Sequence, residues 1–107
     1  MVSRKRQVSL IDEAIKNLKE HGWSQGEYQQ PDGSLCALGA LGFRNHDGAT
    51  EAQYAVVAKL TKVVADRPYY YEKAVITDWN DEYGRTEKEV IGAFRTLRRQ
   101  LVKLMKG

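Results

Sequence analysis

Among its 107 residues the chain has a single cysteine, Cys36. One thiol cannot build an internal disulfide framework, and an unpaired cysteine fits a reducing compartment, so a cytoplasmic location is expected. Histidine is nearly as scarce: His21 and His46 stand far apart in the sequence. One thiol and two separated imidazoles are not the clustered ligand set that zinc uses, and neither a metal nor another cofactor is expected. No apolar run approaches the roughly 18–20 residues needed to cross a bilayer. Charges interrupt the opening "MVSRKRQVSLIDEAIK" before a signal-like apolar segment forms, so no membrane partner is expected. No glycine-rich loop follows a strand-like segment, which leaves nucleotide binding unsupported; "GALG" at 39–42 reads as helix-packing glycine. Internal repeats and low-complexity tracts are also lacking.

What is present points to one globular domain spanning 1–107. Hydrophobic residues at 42% and charged residues at 29% are ordinary for a folded protein and argue against wholesale disorder. The net charge of +3 is mild, but its distribution is uneven. From Arg85 onward the cations are Arg85, Lys88, Arg95, Arg98, Arg99, Lys103 and Lys106, against Glu87 and Glu89 alone. A second basic cluster, "SRKR", lies at 3–6, within a segment 1–8 expected to be flexible. The stretch "DRPYYYEKAVITDWNDEYG" between them leans acidic. Such asymmetry permits an anionic partner.

The patterning is helical. Ile11, Ile15 and Leu18, with Ala14, predict a first helix over Ser9 to His21, with Ser9 as N-cap and Gly22 as the left-handed stop. A second helix is predicted over Glu51 to Asp66, opened by a Thr50–Gln53 capping box and closed before Pro68. A third is predicted over Glu87 to Lys106, opened by a Thr86–Glu89 box. Its apolar positions Val90, Phe94, Leu97, Leu101 and Leu104 step by four and three, a heptad-like seam. "PDG" at 31–33 is a turn, after which Ser34 could cap a short helix from Leu35 to Leu41. A hairpin pairing 27–30 with 34–36 is the alternative. The segment 69–79 is readable as a short helix or as extended chain. The expected fold is therefore an all-α bundle of three long helices and one or two short ones.

Three ordered motifs carry a resemblance. They are Trp23, Gln25 and Gly26 (W-x-Q-G), Cys36 to Leu41 (C-A-L-G-A-L), and Trp79, Asn80, Asp81, Gly84, Arg85 and Thr86 (W-N-D-x-x-G-R-T). In this order the chain resembles a family of small uncharacterised helical proteins of actinobacteria and their phages. The resemblance covers roughly residues 9 to 100 and implies an all-helical fold and no assigned activity.

Cys36 is the one candidate nucleophile. At the first turn of a helix its thiol would be activated by the dipole, Gln25 could donate to an oxyanion, and His21 or His46 could serve as base, oriented by Asn80 or Asp81. Against that, cysteine is among the most buried residue types, and Cys36, Ala37, Gly39 and Ala40 form a small-residue surface for close helix approach. Without a defined Cys–His pairing, packing outweighs catalysis. "DWNDEYGRTEKE" imitates a calcium loop with Asp78, Asn80, Glu82 and Glu89, but Tyr83 stands where the chain needs glycine to turn. Asn80 and Asp81 are better read as holding the loop before the last helix, and Trp23 and Trp79 as core aromatics with partnered indoles.

What remains is surface. Arg95, Arg98, Arg99, Lys103 and Lys106 form a stripe at helical spacing that could track phosphates or meet a protein, or simply be a solvated face. Asp12, Glu13 and Glu20 of the first helix could neutralise part of it. Tyr69 and Tyr70 in "PYYY" offer an aromatic patch for a protein partner. The expected function is a non-catalytic interaction module, a monomer or weak homodimer whose partner is a host or cognate protein. A cysteine-dependent hydrolase centred on Cys36 and a weak nucleic-acid binder are the alternatives.

Overall fold

The computed structural model describes residues 2–44, 49–65 and 72–106. The fold is all-α, with α1 (Arg4–His21), α2 (Ala37–Ala40), α3 (Glu51–Val64), α4 (Glu72–Asn80) and α5 (Glu87–Lys106). One hydrophobic cluster joins them, with Ile11, Leu18, Leu38, Val56, Leu60, Ile76, Phe94 and Leu97 all essentially inaccessible to solvent.

α5 follows the expected seam. Val90, Phe94, Leu97 and Leu101 are buried, and Leu104, the last of the series, is 56% exposed. Its start is a reciprocal box: Glu89 N–H donates to Thr86 Oγ1 at 3.2 Å, and Thr86 N–H donates to Glu89 Oε1 at 3.0 Å. Thr50 and Gln53 build the same device at the start of α3. α3 ends at Val64 with Ala65 as its C-cap, short of the predicted end at Asp66; Asp66 and Pro68 lie outside the described residues.

Two elements differ from the sequence-based expectation, and a third takes one of the two readings open to it. Residues 4–8 are helical rather than a flexible tail, so α1 begins at Arg4 with Ser3, not Ser9, as its cap. The reason is tertiary. Val8 is buried, and the buried Gln7 carboxamide accepts from the Lys59 ammonium of α3 and donates to Val2 O. The helix and hairpin readings of 27–41 each hold in part. Gln30 N–H donates to Ser34 O at 2.8 Å, and Gln29 faces Leu35 in a single antiparallel bridge, after which α2 starts at Ala37 instead of Leu35. Ser34 does not cap it, because its hydroxyl and N–H both bond Asp32 Oδ1 across the turn. The ambiguous 69–79 stretch is helical from Glu72 onward, where Ile76 buries itself in the core. Lys73 of that helix places its ammonium 5.3 Å from the Phe43 ring centroid and 5.9 Å from that of Tyr54.

The α1–α5 pair sets the long direction of the molecule. Trp23, just past the end of α1, bonds Asn80 at the end of α4, where the short loop into α5 begins, while Asp12 in the middle of α1 pairs with Arg98 in the middle of α5 at 2.7 Å. These two links fix the helices antiparallel. Each residue from Asp12 toward Arg4 then advances in the same direction as each residue from Arg98 toward Lys106.

Thr86→Ala is expected to lower stability by about 1 kcal/mol, the usual cost of a lost cap. The Thr86 hydroxyl and N–H, with Arg85 adding to them, hold the Glu89 carboxyl below the ordinary glutamate range. A depressed carboxyl contributes its stability above the unfolded-state value and loses it as pH falls through the lower folded value. The difference between Thr86→Ala and wild type should therefore shrink when urea midpoints are compared at neutral pH and below about pH 4.

Candidate functional site

The three sequence motifs meet at one place, around the start of α2. A helix of four residues leaves nearly every backbone group without an intrahelical partner, since the first four N–H and last four C=O groups of any helix are unpaired. Here all four residues are buried, so water cannot supply the bonds. Side chains do. At the start, Ala37 N–H donates to Asn80 Oδ1 at 3.0 Å and Gly39 N–H donates to Cys36 Sγ at 3.4 Å. At the end, Gly39 O accepts from Arg44, Ala40 O from Asn17 of α1, and Leu41 O from Gln53 of α3. Gly39 is itself required, because a Cβ there would lie 1.8 Å from Tyr28 O.

Asn80 is the hub. Its side chain is wholly buried and makes four hydrogen bonds, the full capacity of a carboxamide. Oδ1 accepts from the Trp23 indole at 2.8 Å and from Ala37 N–H; Nδ2 donates to Ser24 O at 3.1 Å and to Asp81 Oδ1 at 2.9 Å. Both partners of Oδ1 are N–H donors and both partners of Nδ2 are oxygens, so the amide fits in one orientation only. Around it, Gln25 Nε2 donates to the carbonyls of Asn80 and Glu82, and Asp81 Oδ1 accepts from Gly26 N–H. Arg85 closes the far side. Its guanidinium lies 4.3 Å from the Trp79 ring centroid, donates to Trp79 O, and pairs with Glu82 and Glu89.

The geometry places most of the residues named from the sequence. Gln25, read as an oxyanion donor, has its amide directed at two backbone carbonyls. Cys36 is 3% exposed and acts as the N-cap of α2, with its sulfur as acceptor. Burial pushes its thiol up and the Asp81 carboxylate adds to this, outweighing the Gly39 and Leu38 N–H groups that pull it down. The thiol is therefore protonated at neutral pH, the opposite of an activated nucleophile. His21 lies at the end of α1 beside Glu20, and His46 is outside the described residues. Among the described residues no three His, Cys, Asp or Glu side chains group to hold a metal ion.

The surface residues fall elsewhere. Arg95, Arg99 and Lys103 are exposed on α5; Arg98 is half-buried against Asp12, and Arg99 also reaches Thr96 Oγ1. Glu13 makes no such pair among the described residues, and Glu20 faces Lys16 and His21 instead of α5. Tyr69 and Tyr70 lie outside the described residues. No helix among the described residues is long and apolar enough to cross a membrane.

Asn80→Ala leaves the Trp23 indole, Ala37 N–H and Ser24 O without this partner in a buried place. At about 1–3 kcal/mol per buried orphan, the loss should reach roughly 3–5 kcal/mol. That is several times the cost of losing the Thr86 cap and would be visible as a collapsed thermal midpoint. Asn80→Asp keeps Oδ1 but turns an oxygen toward Ser24 O and Asp81. It should recover part of its lost stability on acidification, because protonation restores a donor, while Asn80→Ala should not. Ser24 Oγ is buried with no hydrogen-bond partner among the described residues, so Ser24→Ala should be neutral or stabilising.

No curated protein and no solved structure matches this sequence. A family model does match, over residues 3–100, which takes in the three motifs and the latch they build. The chain belongs to the family of unknown function DUF6197.

Proposed function

We propose that this protein is a non-catalytic interaction module that meets its partner through the outer face of α5. One contrast carries the reading. The polar atoms of the three motifs are turned inward and bonded to one another, whereas Arg95, Arg99 and Lys103 stand exposed on a single helix with no carboxylate paired to them among the described residues. Arg98, the cation of that stripe closest to α1, is the one neutralised within the chain. The Asp12 pair uses that charge internally and leaves a face able to meet an anionic surface. A monomer or weak dimer fits this arrangement, since two such faces would repel each other across a symmetric contact.

The setting proposed is the cytoplasm of an actinobacterium or of one infected by a phage. It is supported by the lone unpaired cysteine and by the motif resemblance to chains of that origin. The hydrolase alternative has less behind it: a thiol that caps a buried helix and is held protonated is placed for packing.

Affinity capture from an actinobacterial lysate at moderate salt tests the reading. The wild type and Cys36→Ala should retain the same protein, and reversal of Arg95, Arg99 and Lys103 to Glu should lose it. Cys36→Ala should cost about 1–2 kcal/mol of stability. Native Cys36 should react with a thiol reagent only as fast as the protein opens. Rapid modification, or loss of capture on Cys36→Ala in protein that is still folded, would return the hydrolase reading to the front.

A further inference from the structure

The sequence holds two basic clusters some eighty residues apart, and the antiparallel packing of α1 and α5 brings them together. Measured from the Asp12–Arg98 pair, Arg4 lies eight residues back along α1 and Lys106 eight residues forward along α5. At about 1.5 Å per residue both sit about 12 Å beyond that pair, at the same height. Arg4, Lys5 and Arg6 on one helix and Lys103 and Lys106 on the other thus lie toward the end of the pair opposite the Asn80 latch, with Arg99 nearer the Asp12–Arg98 pair, all of them exposed. None of the six has a carboxylate within ion-pair distance among the described residues. The whole chain carries only +3, so the remainder is net acidic.

Helix stability does not account for that placement. The last turn of α5 suits cations, since the negative end of the helix dipole lies there. The first turn of α1 does not. It holds three cations at the positive end of its dipole and no acidic residue. Within the same end, Leu104 is 56% exposed and Met105 47% exposed, two of the four large hydrophobic side chains most open to solvent among the described residues. A phosphate backbone or a free anion would answer the cations but leave these side chains wet. A surface that is acidic and also apolar answers both.

We propose that this end of the α1–α5 pair, where Arg4, Lys5 and Arg6 open α1 and Lys103, Leu104, Met105 and Lys106 close α5, docks an acidic amphipathic segment of a protein partner. The inference rests on the interaction-module reading and extends it in two ways: it adds the first turn of α1 to the surface, and it gives the partner a chemistry. Carboxylates of the partner meet the cations and relieve their conflict with the α1 dipole, while an apolar stripe covers Leu104 and Met105.

Fluorescence anisotropy with a labelled synthetic helical peptide patterned in Glu and Leu tests it, with a short DNA duplex and phosphatidylserine-containing phosphatidylcholine vesicles run beside it. The peptide should bind more tightly than either. Neutralising the first turn as R4Q/K5Q/R6Q should weaken it about tenfold, and so should L104S/M105S, each corresponding to about 1.4 kcal/mol. Neutralising cations at a helix N-terminus removes an unfavourable contact, so lost binding in the first variant cannot be assigned to unfolding; circular dichroism confirms this for both. Tighter binding of the duplex or of the vesicles overturns the proposal. If R95E/R99E/K103E abolishes binding while R4Q/K5Q/R6Q leaves it unchanged, the module reading stands and this extension fails. If neither variant alters binding, both fail.

Discussion

A four-residue helix buried in a core cannot satisfy its own backbone, and the rest of this structure is arranged around that deficit. α2 places Ala37, Leu38, Gly39 and Ala40 out of reach of water, so its unpaired groups must be met by protein. The donors and acceptors come from every side: Asn17 from α1, Gln53 from the start of α3, Asn80 from the end of α4, and Arg44 from the segment that follows α2. Each of these side chains fixes the position of its own element as it caps α2. Hydrogen bonds of this kind contribute only about 1 kcal/mol each when made, but leaving such a group unpaired costs more. The polar network therefore acts chiefly by penalising other arrangements, which is how a small all-α chain is held to one packing.

Asn80 and Cys36 illustrate how this constraint decides chemistry. Both sit at a helix terminus, where a reactive or ligand-binding group gains most from the dipole. The latch uses the same geometry for a different end. Asn80 is saturated by two donors and two acceptors, leaving no lone pair or proton for a ligand. Cys36 turns its sulfur back on the N–H of Gly39, in the role more often filled by serine or aspartate. A buried cap favours the less polar atom, because a hydroxyl or carboxylate would need further partners that this site does not offer. With burial and Asp81 both holding the proton on sulfur, Cys36 serves here as the buried N-cap of α2.

How much was legible follows from the range of the forces involved. The seam of α5 and both capping boxes act within three or four residues, and local spacing was enough to find them. The start of α1 was misplaced because its evidence is remote: Gln7 and Val8 are helical on account of α3, and only a contact to Lys59 reveals it. The segment ending at Trp79 was ambiguous because Val75, Ile76 and Thr77 are β-branched, yet burial of Ile76 and the anchoring of Asn80 prevail over that preference. The latch itself joins residues 43 to 57 positions apart. The motifs marked its members, but spacing could not say that they bond to one another. Asp12 was correctly paired with the basic stripe; that the "SRKR" cluster joins the far end of that stripe depends on helix direction, which no local pattern encodes.

The two ends of the α1–α5 pair consequently obey different rules. At the latch end, Trp23, Asn80, Asp81 and Arg85 are held by several bonds each, and a change to one strands the others. At the opposite end Leu101 and Val8 are buried on the inside, and the outward side chains of Arg4, Lys5, Arg6, Lys103 and Lys106 are exposed. Opening free energies should follow the same division, high where buried bonds are dense and low toward Leu104 and Met105, where the last turn is largely exposed. A surface that binds a partner benefits from such a position, since its side chains can be reordered on contact without disturbing the core. The Asp12–Arg98 pair lies between these two ends and is the one ion pair joining α1 to α5 among the described residues.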